Sequence, residues 1–251
     1  MKLPFKRKSR TIILNSIAEF AASIIFSLLF FIFISRHLSE SFELYFITLS
    51  FAIGLSYFVS VYIPFYTYRI HIIPFITILR ALQKKSFSLI IYKVPMQILG
   101  AMVGVLLYQF VNDFTTKTDI QAIKNIGVSS IEFVAFLNFL FTAILCYGFY
   151  IIRIIFKKRS TNGTIFLGLL ITILFALSGS IQGLSFLNPF GYMFAEIFTY
   201  SSQFDITVWE FSLLHLIAPL LATFLAYYFI NLRFGKQTNP FFKSKTRKKN
   251  S

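Results

Sequence analysis

Residues 185–191 read SFLNPFG, and this stretch lies between two strongly apolar parts of the chain. An Asn-Pro pair is a turn signal, yet too little polar sequence surrounds it for an ordinary loop at a membrane surface. Proline is tolerated at the first helical position, because the N–H that it lacks would be unpaired there. The stretch therefore predicts a short helix that begins at Pro189, with Asn188 as its cap, entered from a re-entrant loop.

A second segment of the same kind begins with Pro74. The two apolar pieces, PFITILRAL at 74–82 and PFGYMFAEIF at 189–198, are too short to cross a bilayer, which takes about 20 residues. Both are therefore predicted to be half-helices. Longer apolar runs predict six membrane-spanning helices, at about 11–35, 44–66, 86–110, 129–152, 163–183 and 208–232. The expected fold is a single all-α membrane domain over residues 1–251.

The composition supports a membrane protein. The chain is 57% hydrophobic and 13% charged, whereas soluble domains carry about 25% charged residues. The first apolar run is longer than a signal-peptide core and has no small-x-small cleavage site after it, so it is expected to remain as a helix. The single cysteine and three scattered histidines form no metal-ligand spacing, and no nucleophile–base pair is visible. Neither an enzyme nor a cofactor is expected.

The net charge of +15 is arranged as in a membrane protein. Apart from Arg36, Lys117 and Lys124, the basic residues fall in the N-terminus, 69–93, 153–159 and 233–249. The positive-inside rule places these segments, and both basic tails (1–10 and 233–251), in the cytoplasm. The tail sequence KSKTRKK is expected to contact anionic lipid, and nucleic acid is not an expected partner.

The first and second halves of the chain resemble each other. Ala18-Glu19-Phe20 resembles Ile131-Glu132-Phe133, and Ile73-Pro74-Phe75 resembles Asn188-Pro189-Phe190 at a similar separation. Because three spans lie between the copies, halves 11–110 and 129–232 are expected to form an inverted repeat. Small residues at four-residue spacing predict close helix packing in each half; they are Gly100 and Gly104, and Ala218, Ala222 and Ala226.

These residues resemble the major intrinsic proteins, the aquaporins and glycerol facilitators. That family has six spans, two Asn-Pro-Ala half-helices and a Glu in spans one and four. The matching pieces, in order, are AEF at 18–20, HIIPFIT at 71–77, YKVPMQILGAMVG at 92–104, IEF at 131–133 and SGSIQGLSFLNPFG at 178–191. The resemblance implies an aquaporin-like fold, a homotetramer with one pore in each subunit, and passive passage of small neutral solutes.

The departures from the family pattern concern the pore. Ile73 replaces the first Asn, Phe75 and Phe190 replace the two Ala, and Gly191 replaces the usual Arg. Counting from the two Pro motifs places the family's filter on Ile53, Ala176, Ser185 and Gly191. With three small residues and no charge, this filter should be wide, suited to glycerol-like polyols or water, and should lack one barrier to cations. The two Phe side chains either pack the half-helices together or occlude the gap.

Several polar residues have roles implied by the resemblance. Asn188 would cap its half-helix and leave its amide NH₂ to orient a passing hydroxyl, whereas Ile73 does neither. Glu19 and Glu132 are expected to be buried and to hold the half-helix loops, with a proton relay as the alternative. At the cytoplasmic pore mouth, Arg69 and His71 are candidates, although Arg69 is equally well placed to bind lipid phosphate. Lys93 is expected to extend to the lipid headgroups.

Two other functions remain open. One is the substrate-binding membrane subunit of an ATP-driven importer, and the other is a channel homologue that no longer conducts. The heavy use of Ile, Phe, Tyr, Asn and Lys is typical of AT-rich genomes. It favours a bacterial source, and hence a multi-pass protein of the plasma membrane.

Overall fold

The computed structural model describes residues 4–38, 45–62, 70–115, 131–156, 161–178, 187–199 and 213–238. Arg69 and Ser185 lie outside these ranges, as do residues 1–3 and most of the C-terminal basic tail. The described helices are α1 (Pro4–Leu38), α2 (Tyr45–Tyr62), α3 (Pro74–Lys84), α4 (Ser88–Thr115), α5 (Ile131–Ile155), α6 (Thr161–Ser178), α7 (Pro189–Thr199) and α8 (Ala218–Thr238), with a π-helical turn at Leu213–Ile217 before α8.

The helices fall into three length classes. Four of them, namely α1, α4, α5 and α8 together with the π-helical turn before it, contain apolar stretches of 20 to 24 residues, long enough to cross a membrane. Helices α2 and α6 are apolar and have 18 residues each, or about 27 Å at the helical rise of ~1.5 Å per residue. That length is close to the ~30 Å of a bilayer's hydrocarbon core.

Helices α3 and α7 have 11 residues each and begin at Pro74 and Pro189, as predicted. Each is about 16 Å long, roughly half of a bilayer. Helix α3 ends where Lys85 adopts a left-handed conformation with φ 50°, and its N–H bonds back to the Leu82 carbonyl. The two short helices therefore have the dimensions of half-helices.

Small residues determine how closely the long helices pack. A Cβ on Gly100 would lie 2.5 Å from the Phe20 carbonyl oxygen, and one on Gly104 would lie 2.7 Å from that of Ile24. Only glycine therefore permits α1 and α4 to approach this closely, which confirms the predicted role of the pair. On α8, which packs against α5, Ala218, Ala222 and Ala226 are all buried.

The interior is rich in aromatic side chains. The Phe26 ring meets Tyr57 edge-on at 6.2 Å, and the Phe30 ring meets Tyr192 at 5.7 Å. Tyr192 also stacks on His215, with ring centroids 6.1 Å apart. Outward-facing surfaces of the helices carry large exposed apolar side chains such as Ile173, Leu221 and Phe229. Large apolar side chains on the outward faces suit a protein surrounded by lipid.

Candidate functional site: the entrances to the two half-helices

The chain enters α3 through a strained segment. Ile72 has φ 57°, in the left-handed region, which costs a residue other than glycine about 1–2 kcal/mol. The Ile73 N–H then donates to the His71 carbonyl at 2.6 Å. Ile73 occupies the N-cap position with extended backbone and makes no side-chain cap hydrogen bond. Another group must therefore hold this entrance in place.

Glu19 of α1 is that group. Its side chain is fully buried, and Oε1 accepts the backbone N–H groups of His71 at 2.9 Å and Ile72 at 3.0 Å. Oε1 also accepts from the Gln97 amide at 2.6 Å. The backbone contacts expected of Glu19 are thus present. Because two consecutive N–H groups bond to one oxygen, the carboxylate fixes the peptide planes on both sides of His71, directly before the strained residue.

Lys93 completes this network, contrary to expectation. Its ammonium group lies 2.6 Å from Glu19 Oε2, and the residue is only 5% exposed. The prediction that it extends to the headgroups is wrong, because a buried carboxylate needs a partner and a lone buried charge is very costly. The signal was in the sequence: Lys93, Gln97, Gly100 and Gly104 share one face of α4, the face that packs on α1.

His71 connects the entrance to the body of α3. Arg80 Nη1 lies 2.5 Å from His71 Nε2, and Thr77 Oγ1 lies 3.3 Å from Nδ1. Because a guanidinium group only donates, Nε2 must be the acceptor, so the ring proton sits on Nδ1 and is donated to Thr77. Thr77 also accepts from the Gln97 amide at 2.9 Å. Arg80, at 3% exposure, is therefore held by a buried polar chain that runs to α4.

Helix α5 also contributes to this entrance. The His71 ring meets Phe149 of α5 edge-on, with centroids 6.3 Å apart. The Arg153 guanidinium lies over the same Phe149 ring, 5.2 Å from its centroid. The α3 entrance therefore combines an ion pair, two cationic side chains near one histidine, and an aromatic wall.

The entrance to α7 is built by different means. Asn188 Oδ1 accepts the Gly191 N–H at 3.1 Å, which is an N-cap hydrogen bond to the first turn. The Asn188 amide nitrogen donates to Ser27 Oγ of α1 at 3.0 Å. The expectation that the whole NH₂ group remains available is therefore wrong, since Ser27 takes one of its two hydrogens. Asn188 is 6% exposed and lies directly over Gly191.

The predicted filter residues are placed in different environments. Ile53 and Gly191 are buried, and Ala176 is exposed near the end of α6. A Cβ at position 191 would lie 2.3 Å from the Asn188 amide nitrogen, so any larger residue there must displace the cap. Phe75 is buried and Phe190 is half-buried. Ser185 and Arg69 lie outside the described residues, so the four filter positions are not seen together.

Glu132 is not buried as expected. It lies exposed in the first turn of α5, where a carboxylate interacts favourably with the helix N-terminus. The buried polar residues of α5 are instead Asn138 and Thr142, four residues apart, as Glu19 and Ser23 are on α1. The short IEF match was misleading because it compared three residues without the buried face that follows them. The pair of polar residues at helical spacing was the better signal.

Within the described ranges, no group of three or more His, Cys, Asp or Glu side chains is close enough to hold an ion. The only free cysteine of the chain, Cys146, is buried and lies 3.8 Å from the Thr223 hydroxyl. At the two entrances, Glu19 and Asn188 accept hydrogen bonds from backbone N–H groups. At the α3 entrance, His71 also holds the Arg80 side chain.

Comparison with known proteins assigns the family. The model of the family described as Major intrinsic protein matches residues 6–229. No match was found among curated proteins. Among solved structures, the chain is similar to the X-ray structure of the aquaglyceroporin from Plasmodium falciparum, with a TM-score of 0.74 and 16% identity over 88% of this chain and 96% of that one. The protein therefore belongs to the major intrinsic protein family and has the aquaporin-like, all-α membrane fold.

Proposed function

We propose that the protein is a passive membrane channel for small uncharged solutes, namely glycerol-like polyols and water. The observation that carries the proposal is the Asn188 cap: the side-chain oxygen serves α7 and the amide keeps a hydrogen beyond the one given to Ser27. A fixed donor of this kind, at the positive end of a half-helix, orients a solute oxygen without binding it tightly. Membership of a channel family and the likeness to an aquaglyceroporin support the same function.

The proposed filter consists of Ile53, Ala176, Ser185 and Gly191. None of these side chains is charged, and three are small, which favours solutes wider than water with apolar carbon backbones. On the other half-helix, Ile73 offers an apolar wall opposite the Asn188 donor. A polyol has both a hydroxylated and an apolar edge, so an asymmetric passage of this kind suits it better than it suits water.

The wider architecture is also part of the proposal. The packing of α1 against α4 in one half corresponds to that of α5 against α8 in the other, which supports an inverted repeat. We place both termini in the cytoplasm of a bacterial cell, on the basic-residue pattern, and the multi-pass chain in its plasma membrane. Four copies, each with its own pore, would form a homotetramer surrounded by lipid.

The proposal is tested by osmotic swelling of proteoliposomes. Purified protein is reconstituted and flux is followed by stopped-flow light scattering with water, glycerol and larger polyols, beside empty liposomes. We expect glycerol flux well above the liposome background, and lower flux in Gly191→Arg. The matched control is Gly191→Ala, which displaces the Asn188 side chain without adding a charge. If Gly191→Ala and Gly191→Arg reduce flux equally, the loss comes from displacement of the Asn188 cap, and the assignment of Gly191 to the filter is wrong.

One observation favours a non-conducting homologue instead. Ile53, Ile73 and Phe75 are all almost fully buried, as in a filled core. A monodisperse protein that passes no neutral solute would support this second function. An importer subunit is distinguished by co-purification with an ATPase and by flux that requires ATP.

A further inference from the structure

We propose that Arg80 is the residue that excludes cations from the channel, at the cytoplasmic entrance rather than at the filter. This inference rests on the channel function proposed above. The filter position where the family carries its Arg is Gly191, and residues 187–199 contain neither Lys nor Arg. A pore without a fixed positive charge would leak small cations, which a membrane that maintains an ion gradient does not tolerate.

Arg80 has the position and the rigidity that such a barrier needs. It lies on α3 seven residues after Ile73, and its guanidinium group contacts the His71 ring, which belongs to the segment leading into the half-helix. The ring is oriented in turn by Thr77, and Thr77 by Gln97 of α4. A long side chain normally samples many rotamers, but this chain of contacts fixes the charge at one place beside the entrance.

The electrostatic surroundings reinforce the charge of Arg80. Three further cations, Lys84, Lys93 and Arg153, also act electrostatically on the His71 ring. The acidic residue in this group, Glu19, is paired with Lys93 at 2.6 Å. The entrance is therefore net positive, and a buried fixed charge acts over a longer range than one exposed to bulk water.

A separate observation points to a missing polar partner along this face of α3. Gln83 follows Arg80 by one helical turn and is 2% exposed. Within the part of the chain that the structure describes, neither its amide oxygen nor its amide nitrogen has a hydrogen-bond partner. Buried amides are nearly always satisfied, so water or a passing hydroxyl is the partner that this position requires. In a channel, the solvated passage would supply this partner, and Arg80 would face the same passage one helical turn earlier.

The test compares ion leak and solute flux in the same vesicles. Wild type, Arg80→Gln and Arg80→Lys are reconstituted, and potassium permeability is read from a voltage-sensitive dye while glycerol flux is read by light scattering. The matched control is Lys85→Asn, which removes an exposed charge just beyond the end of α3 and suits the left-handed backbone there. We expect potassium leak to rise about tenfold or more in Arg80→Gln, and to stay low in Arg80→Lys and Lys85→Asn.

The outcomes separate this inference from the channel function. Glycerol flux in wild type with no rise of potassium leak in Arg80→Gln would overturn the role of Arg80 and leave the channel intact. No glycerol flux in wild type, with a potassium leak created by Arg80→Gln, would support the barrier and contradict the neutral-solute function.

A second measurement needs no variant. If Arg80→Gln fails to fold, the reversal potential of wild-type vesicles under a KCl gradient decides the matter. A positive entrance predicts that the residual permeability to chloride exceeds that to potassium. A preference for potassium would overturn the inference.

Discussion

The two half-helices have the same length and the same proline at their first position, yet their entrances are stabilised by different interactions. The α7 entrance has a cap of its own, because Asn188 bonds to the first turn of its helix and adds one bond to Ser27 of α1. The α3 entrance has no cap of its own and depends on Glu19, Lys93, Gln97 and His71, which come from three parts of the chain. Where the local cap is missing, a network of tertiary contacts takes over its task.

The largest effect is expected where that network is removed. Glu19→Ala leaves two backbone N–H groups and the Lys93 charge buried without their partner, and breaking a buried ion pair costs about 3–5 kcal/mol. Thermal unfolding in detergent measures the loss. The control is Glu132→Ala, an exposed carboxylate on α5, for which a change within about 0.5 kcal/mol is expected. Equal stability of the two variants would contradict the role given to Glu19.

Ile73 and Asn188 occupy equivalent cap positions, but their side chains stabilise the fold in different ways. Ile73 is fully buried, so Ile73→Ala should cost about 2–5 kcal/mol through lost packing and a cavity, although no cap is removed. Ile47→Ala, at a lipid-facing position of α2, is the control and should cost much less. Chemical denaturation of the two variants checks this, and a loss near zero for Ile73→Ala would show that the α3 entrance is not packed as described.

The helix packing of the first half is tested by overfilling it. Gly100→Ala places a methyl group 2.5 Å from the Phe20 carbonyl oxygen, a backbone atom that is hard to move. We expect a loss of about 1–3 kcal/mol. In Gly148→Ala of the second half, the nearest atom is a terminal methyl of Leu170, which rotates away easily. A larger effect in Gly148→Ala than in Gly100→Ala, measured as a shift in melting temperature, would reverse this ranking.

The smallest effect on stability is expected at Asn188. Asn188→Ala removes the cap and should cost about 1 kcal/mol, less than Ile73→Ala. Asn188→Ser keeps a capping oxygen and loses the amide donor, so it should retain stability but lower glycerol flux. Melting temperature and vesicle swelling, measured on the same samples, separate the two contributions. Full flux in Asn188→Ser would mean that the amide does not serve the solute.

Sequence was a good guide to the helices and a poor guide to the faces of those helices. Proline at the first position, and runs of apolar residues, predicted where α3, α7 and the long helices lie. Periodic pattern does not tell which side of an almost wholly apolar helix is buried, and this is why Lys93 was expected at the headgroups and Glu132 inside. For both residues the sequence predicted the position along the helix, but it did not predict which side of the helix the residue lies on.

In these apolar helices, polar residues indicate which side of the helix is buried better than apolar residues do. Lys93 and Gln97 lie on the glycine face of α4, and Asn138 and Thr142 form the only buried polar pair described on α5. The contact between Arg80 and His71 had no such signal, because it joins a helix to a loop whose path depends on Glu19. Contacts of this type follow from the assembled fold, and one sequence contains no direct record of them.

The ion pair between Glu19 and Lys93 also has a consequence for biosynthesis. Lys93 follows Glu19 by 74 residues, so a ribosome that adds about 5–20 residues per second delivers it roughly 4–15 seconds later. During that interval α1 enters the membrane with a carboxyl group that lacks its permanent partner, a costly state for a lipid-exposed helix. Release of α1 from the insertion machinery is therefore expected to wait for α4, which would make the first four helices a single unit of membrane insertion.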